Sequence, residues 1–251
     1  MTPWEAAAIL VAGTAAGGIN AVVGSGSLIT FPTLVALGYP PVVANVSNNI
    51  GLVPGSITGT WGYRRELAGR SKLLLRLGSA SLIGSVIGAI LLLRLPDEAF
   101  KMIVPVLIVI ALVLVVVQPK LNGWVAKRRK EPVSHGGALL WGLVFLAGVY
   151  GGYFGAAQGI LLISLLGIFL VDEMQTVNGI KNGLSGIVNA AAAIIFILIA
   201  DVDWWAVLLI GVGAMLGGYL GASVGRKLPP WALRTVIVCV GLTAIANLVF
   251  G

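Results

Sequence analysis

The sequence predicts an all-α polytopic membrane protein of two repeats, each with about five helical segments that include a short broken or re-entrant helix. Three observations lead to this fold class. Hydrophobic residues make up 58% of the 251 residues and charged residues only 10%, too little polar surface to cover a soluble globule. Long apolar runs occur, and residues 102–117 contain no charge at all. A glycine-rich interruption of an apolar run occurs once in each half, at Gly24 and at Gly155.

The first repeat, residues 1–117, contains five predicted helical segments. Its first apolar run has to end before the Gly-Ser-Gly-Ser stretch at residues 24–27, because glycine is a poor helix former. Pro32 disturbs the short helix that follows, and the next helix opens with an asparagine-containing stretch. The predicted segments are residues 4–23, a short 27–37, 43–63, 71–93 and 100–117.

The second repeat, residues 138–251, follows the same order. Its first apolar run is interrupted by Gly-Ala-Ala-Gln-Gly at residues 155–159, and a short apolar run comes next. The predicted segments are residues 138–154, a short 159–169, 177–200, 204–224 and 231–250. Between the repeats, residues 118–137 are polar and include Lys-Arg-Arg-Lys at residues 127–130, which predicts a basic cytoplasmic linker.

The two short segments decide the topology. Each has 11 residues, about 16 Å of helix and roughly half of the hydrocarbon thickness. They either cross the bilayer incompletely or form one arm of a re-entrant hairpin. Crossing places 14 of the 16 Lys and Arg residues on the cytoplasmic side, whereas re-entrant hairpins place 10 there. The positive-inside rule therefore favours crossing.

Crossing also makes each repeat five segments long, so the second repeat has to be inverted relative to the first. The charges agree, because the loop after the third segment is basic in the first half (residues 64–72) and acidic in the second (residues 201–203). The first apolar run lacks the positive flank of a signal peptide and is expected to stay in the mature protein. We therefore expect a multi-pass plasma-membrane protein with both termini extracytoplasmic.

The paired glycine-rich breaks, each followed by an asparagine-containing helix start, resemble the sulfite exporter TauE/SafE family, also called TSUP. The best-matching pieces are Gly-Ser-Gly-Ser-Leu-Ile at residues 24–29 with Pro32, and Asn-Gly-Ile-Lys-Asn at residues 178–182. The resemblance covers essentially the whole chain. It implies a secondary transporter that exports sulfite, organosulfonates or related small sulfur-containing anions across the plasma membrane, driven by the proton-motive force.

Two broken apolar segments at matching places in two halves indicate the substrate site of a transporter. An oxyanion needs hydrogen-bond donors and a positive potential, which free N–H groups at the start of a half-helix supply. Glycine lets the ligand approach the backbone, serine adds hydroxyl donors, and a glutamine between two apolar runs is expected to face the cavity. The alternative is that the glycines only permit tight helix crossing. The predicted site residues in the breaks are Gly24, Ser25, Gly26, Ser27, Gly155, Gln158 and Gly159.

Polar residues at the start of the next helix complete the predicted site. Helix capping alone would explain Asn45 and Asn178. One cap does not require several neighbouring amides, however. The remaining predicted site residues are Asn48, Asn49, Lys181 and Asn182. Lys181 is the only basic residue in the repeated core and aligns with Asn48 of the other half. The alternative to a site role is that the Lys181 side chain snorkels to the cytoplasmic surface. Asp172 and Glu173 are close enough in sequence to pair with it.

The composition also excludes functions. The net charge of +7 lies in short loops beside apolar spans, where it sets orientation, so no nucleic-acid partner is predicted. The single cysteine, Cys239, and the single histidine, His135, provide neither a disulfide nor a metal cluster. No nucleotide loop is present, and we predict no cofactor, no metal and no enzymatic activity. The partners expected are a small anion and the lipid bilayer. An anion channel, an importer of another small organic acid and a non-transporting membrane scaffold are the alternatives.

Overall fold

The computed structural model describes residues 1–128, 137–223, 235, 237–239 and 242 of the chain. Within these residues the fold is all-α, as predicted, with no β-strand. The helices are α1 (Pro3–Val22), α2 (Ser27–Ala36), α3 (Pro41–Gly62), α4 (Ser71–Arg94), α5 (Asp97–Arg128), α6 (Gly137–Tyr153), α7 (Gln158–Phe169), α8 (Met174–Ile199) and α9 (Trp204–Ser223). Five of them, α1, α4, α5, α8 and α9, are long and apolar enough to cross a membrane. These spans confirm a polytopic membrane protein.

Helix α3 has 22 residues but is not among the five apolar spans. The physical reason is its polar content, since three asparagines lie in its first half. Asn45, Asn48 and Asn49 are all buried in the bundle rather than exposed to lipid. A helix whose polar face is covered by protein can cross a bilayer without a high mean hydropathy.

Helix α5 differs most from its predicted bounds. It was expected to end at Val117 but continues to Arg128, so the first part of the predicted linker is helical. Hydropathy marks where a helix leaves the hydrocarbon and not where the helix ends. For this reason the predicted segment ended before the helix does. The rest of the linker, with His135, and the predicted last segment lie largely outside the described residues.

The breaks after α1 and α6 have the same backbone geometry. After α1, the N–H groups of Val23 and Gly24 both donate to Ile19 O, at 2.7 and 3.1 Å. After α6, the N–H groups of residues 154 and 155 both donate to Tyr150 O, at 2.9 and 3.1 Å. Gly24 has φ +87° and Gly155 has φ +75°, the left-handed conformation that ends helices and that glycine adopts without strain.

Two groups of charged residues mark opposite ends of the bundle. At one end, called here the acidic end, burial and then the negative charges of Asp203 and Glu5 raise the pKa of Tyr39. Tyr39 follows α2, so α2 runs back toward the end at which α1 begins. At the other end, called the arginine end, Arg70 forms an ion pair with Asp172, and Arg76 donates to the carbonyl of Gly137.

Glycines allow the long helices to pack with their backbones in contact. A Cβ at Gly13 of α1 would come within 2.9 Å of the Ile210 backbone of α9. A Cβ at Gly148 of α6 would come within 2.9 Å of the Ser81 carbonyl of α4. The first helix of each half therefore packs closely against a helix of the other half. Close helix crossing is therefore enough to explain why glycine stands at these two positions.

Candidate functional site

The two helix breaks are in direct contact. The N–H of Gly159 donates to Gly24 O at 3.0 Å, joining residues 135 positions apart in the chain. A Cβ at Gly24 would lie 2.5 Å from the Gly159 Cα, and a Cβ at Gly159 would overlap the Gly24 backbone in the same way. The structure thus brings together two predicted site glycines. The backbone of each glycine fills the space that a side chain on the other would need, so both positions require glycine.

The start of α2 presents unused hydrogen-bond donors beside this contact. Ser25 is 1% exposed, and its Oγ has no hydrogen-bond partner among the described residues. The backbone N–H groups of Gly26, the N-cap residue, and Ser27, the first residue of α2, likewise have no acceptor in the described part of the chain. Ser27 is half-buried. A buried, unpartnered hydroxyl at a helix N-terminus is unfavourable unless a ligand or water completes it.

Asn45 and Asn178 do not cap helices, contrary to that interpretation of the sequence. Helix α3 begins at Pro41 and α8 at Met174, so both asparagines lie inside their helices. The Asn45 Nδ2 donates to Tyr153 O at 3.0 Å, at the end of α6. The Asn178 Nδ2 donates to Val22 O at 3.5 Å, at the end of α1. Each amide therefore holds the end of the first helix of the other half.

Asn178 has a second partner that the sequence did not indicate. Its Nδ2 donates to the Tyr63 hydroxyl at 3.1 Å, and its Oδ1 is buried without a partner. Tyr63 is itself fully buried. It follows the last residue of α3, at the position where the sequence predicted that segment to end. Nothing in the hydropathy pattern marks it.

The other predicted asparagines of α3 belong to polar contacts with residues that the sequence analysis missed. Thr30 of α2 donates its hydroxyl to Asn48 Oδ1. Asn49 Nδ2 lies 3.4 Å from Asn189 Oδ1, and Asn189 Nδ2 donates to Ser56 Oγ at 3.2 Å. Asn189 had a visible signal, because it is an asparagine within a predicted span. Thr30 had a weaker one, since a threonine hydroxyl can bond to a carbonyl of the preceding turn of its own helix.

Lys181 is fully buried, so the structure excludes a snorkelling side chain. Its Nζ donates to Asn20 O at 2.8 Å, to Ala21 O at 3.3 Å and to Asn182 Oδ1 at 2.9 Å. Asn182 Nδ2 also donates to Ala21 O, at 3.0 Å. The ammonium therefore sits at the C-terminal end of α1, where a helix carries its partial negative charge. Asp172, which was considered as its partner, pairs with Arg70 instead.

Gln158 and Gly155 complete the predicted set. The Gln158 side chain is 4% exposed and donates from Nε2 to Ala147 O of α6 at 3.1 Å. It fills the notch left by the absent side chain of Gly151. Gln158 was expected to face a cavity, and the structure places it against α6. Gly155 supplies the left-handed turn after α6.

Comparison with known proteins gives a family. The family model for the sulfite exporter TauE/SafE matches residues 9–248. A "Probable membrane transporter protein" of Haemophilus influenzae is 26% identical over 97% of this chain and 94% of its own length. The "Probable membrane transporter protein YfcA" of Escherichia coli K12 is 29% identical over 94% of this chain and 86% of its own length. The "Probable membrane transporter protein ORF9" of a Sinorhizobium species is 26% identical over 96% of this chain and 90% of its own length.

No solved structure matches the chain. The family assignment therefore rests on the sequence matches, which cover nearly the whole chain, and the membrane assignment rests also on the apolar spans. The chain belongs to the sulfite exporter TauE/SafE family and is a membrane transporter.

Proposed function

We propose that this transporter exports sulfite, organosulfonates or related small sulfur-containing anions across the plasma membrane, coupled to the proton-motive force. The observation that carries the proposal is the unpartnered hydroxyl of Ser25 at the start of α2, beside the N–H groups of Gly26 and Ser27. These groups are donors, and the N-terminus of α2 adds a positive potential. Donors with positive potential and no fixed negative charge fit a small oxyanion.

The remaining predicted residues act mainly by holding this helix start in place. The contact of Gly24 with Gly159 fixes the two breaks against each other. Asn45 holds the end of α6, and Asn178 and Asn182 hold the end of α1, the two helices that precede the breaks. Lys181 adds a positive charge without a carboxylate among its hydrogen-bond partners. We assign the binding of the anion to the backbone and hydroxyl donors, with Lys181 contributing to the potential.

We propose further that the two halves are inverted repeats and that transport alternates between them. The matched hydrogen bonds support this, because Asn45 binds the end of α6 as Asn178 binds the end of α1. The opposite starting points of α1 and α6 support it as well. Helix α1 begins at the acidic end with Glu5, whereas Gly137, the first residue of α6, contacts Arg76 at the arginine end. Inverted repeats of this kind exchange roles when the access to a central site changes side.

For the orientation, we propose that the arginine end is cytoplasmic and that both termini are extracytoplasmic. Arg64, Arg65, Arg70, Lys72 and Arg76 all belong to the loop and helix start at that end. Coupling to protons would use the protonation of the substrate, since no carboxylate lies in the middle of a predicted span.

Uptake into proteoliposomes tests the proposal. Labelled sulfite, taurine and sulfoacetate are offered to purified protein in vesicles, with and without a pH gradient. At least one of the three should accumulate above empty vesicles, and the gradient should change its rate. Ser25→Ala should reduce this transport, whereas Ser71→Ala, a matched change at an exposed position at the start of α4, should not. Failure of all three anions to enter, with a different organic anion transported, would contradict the sulfur-anion assignment.

A further inference from the structure

A cavity of about 380 Å³ lies at the arginine end of the bundle, away from the helix breaks. It opens between the last turns of α3 and α9 and includes Trp61, Arg64, Arg65, Glu66, Tyr219 and Ser223 in its lining. None of the residues predicted for the anion site lines it. It is therefore separate from the proposed anion site.

Two guanidinium groups give the cavity its chemistry. Arg64 is held in place, because its guanidinium carbon lies 3.9 Å above the ring of Trp61 and its Nη1 donates to Trp61 O at 3.2 Å. The Arg65 side chain is exposed, and its guanidinium has no hydrogen bond or ion pair with another described residue. Glu66 also lines the cavity, but it is engaged in an interaction within the protein. Two arginines, one of them pre-positioned on an aromatic ring, suit a phosphate group.

An apolar surface continues from the cavity along the same two helices. Trp61 and Tyr219 stack with their ring centroids 6.3 Å apart, and both residues are more than half exposed. Further from the end, α3 exposes Ile57 and α9 exposes Leu216. Aromatic rings beside a charged loop mark the level of the lipid headgroups, with hydrocarbon on the side of the aliphatic residues. A ligand with a phosphate at one end and acyl chains at the other matches this order of basic cavity, aromatic rings and aliphatic surface.

We propose that this cavity binds the headgroup of an anionic phospholipid, with its acyl chains along α3 and α9. The phosphate lies between Arg64 and Arg65, and the first part of the acyl chains packs on Trp61 and Tyr219. Basic pockets between membrane helices recognise acidic headgroups by this combination of charge and apolar surface. A bound lipid would join the ends of α3 and α9, which pack against each other through Gly55 and Ala214. This inference concerns a second site and does not depend on the identity of the transported anion.

Lipid titrations of purified protein in detergent test the proposal. The midpoint of thermal unfolding is followed while dioleoylphosphatidylglycerol, dioleoylphosphatidylcholine or inorganic phosphate is added, since a ligand of the folded state raises that midpoint. Phosphatidylglycerol should raise the midpoint at a lower concentration than phosphatidylcholine. The double variant Arg64→Gln/Arg65→Gln should bind phosphatidylglycerol about 30-fold more weakly, the scale for two basic residues at a membrane surface.

The control variant is Lys72→Gln/Lys120→Gln, which removes the same charge from two exposed positions outside the cavity. It should bind phosphatidylglycerol like the wild type. If the double arginine variant does not purify, Arg65→Gln alone should weaken binding about fivefold. Equal binding of both lipids overturns the proposal, and so does an arginine variant that behaves like its control. A response to inorganic phosphate that equals the response to phosphatidylglycerol also overturns it, because the cavity would then be a site for soluble anions.

Discussion

The Nζ of Lys181 lies 2.8 Å from the carbonyl oxygen of Asn20, across a separation of 161 residues. This bond joins the middle of the second half of the chain to the end of the first helix. It converts an ionisable residue inside the bundle into a cap for a broken helix. We propose that the same ammonium also adds to the positive potential at the start of α2.

Replacing Lys181 tests this capping role. Lys181→Met should lower the thermal unfolding midpoint, because Asn20 O and Asn182 Oδ1 would lose their donor at a buried site. Ala21 O would keep its hydrogen bond from Asn182 Nδ2. Each unsatisfied group costs about 1–3 kcal/mol. Lys181→Gln should be milder, since its amide supplies two donors, and Lys181→Arg should be poorly accommodated because the site is fully buried. Lys101→Met, at an exposed position on α5, is the matched control.

Anion affinity in the same variants separates the two roles of Lys181. If its charge contributes to the potential at the site, Lys181→Gln should weaken anion binding about five- to 150-fold, or about 1–3 kcal/mol for the loss of one nearby positive charge. Binding is measured on folded, purified protein. Unchanged affinity together with a lowered unfolding midpoint would leave Lys181 with the capping role alone. A Lys181→Met variant as stable as the wild type would contradict the capping role itself.

Gly24→Ala and Gly159→Ala should each prevent the chain from forming a stable, monodisperse protein. The new Cβ would enter the backbone of the opposite break, and a backbone cannot move aside as a side chain can. Gly38→Ala is the control, because Gly38 has the same left-handed backbone, with φ +88°, but nothing within 4 Å of its Cβ position. It should cost only about 1 kcal/mol. Size-exclusion chromatography and thermal unfolding report the difference, and a well-folded Gly159→Ala would contradict the contact.

Ser25→Ala should weaken anion binding without lowering stability. A hydroxyl that binds a charged ligand is worth about 1.5–3 kcal/mol, or about 10- to 150-fold in affinity. The same hydroxyl has no partner in the protein, so its removal should leave the unfolding midpoint unchanged or slightly raised. Affinity and unfolding midpoint are measured on the same preparation. Loss of stability with unchanged affinity would identify Ser25 as a structural residue.

Cysteine labelling tests the proposed orientation. In a Cys239→Ser background, Lys72→Cys should be protected in intact cells from an impermeant thiol reagent, whereas Glu5→Cys and Asp201→Cys should react. The structure places Glu5 and Asp203 near Tyr39 at one end of the bundle. Reaction at Lys72→Cys alone would reverse the assigned orientation. Reaction at Glu5→Cys without reaction at Asp201→Cys would contradict the shared end and, with it, the inverted repeat.

The positions of the helices up to residue 223 were largely predictable. The α1 and α6 breaks were found because glycine and serine interrupt an apolar run, and this local signal does not depend on the rest of the fold. The end of α5 was missed because a helix can continue beyond the hydrocarbon with polar residues. Asn45 and Asn178 were selected as polar residues within apolar segments, and their place in an anion site stays a prediction. The capping interpretation of these two residues failed because it considered only their own helices.

The sequence by itself determined that the protein is a helical membrane protein with two broken helices, because apolar length and glycine breaks act locally along the chain. Only the tertiary structure decided what these breaks touch. The contact of Gly24 with Gly159, the burial of Lys181 on the carbonyls of Asn20 and Ala21, and the unpartnered hydroxyl of Ser25 all depend on segments far apart in the chain. Hydrophobic periodicity records which residues avoid water but not which neighbour covers them. For that reason the partners of buried polar groups appear only once the helices are packed.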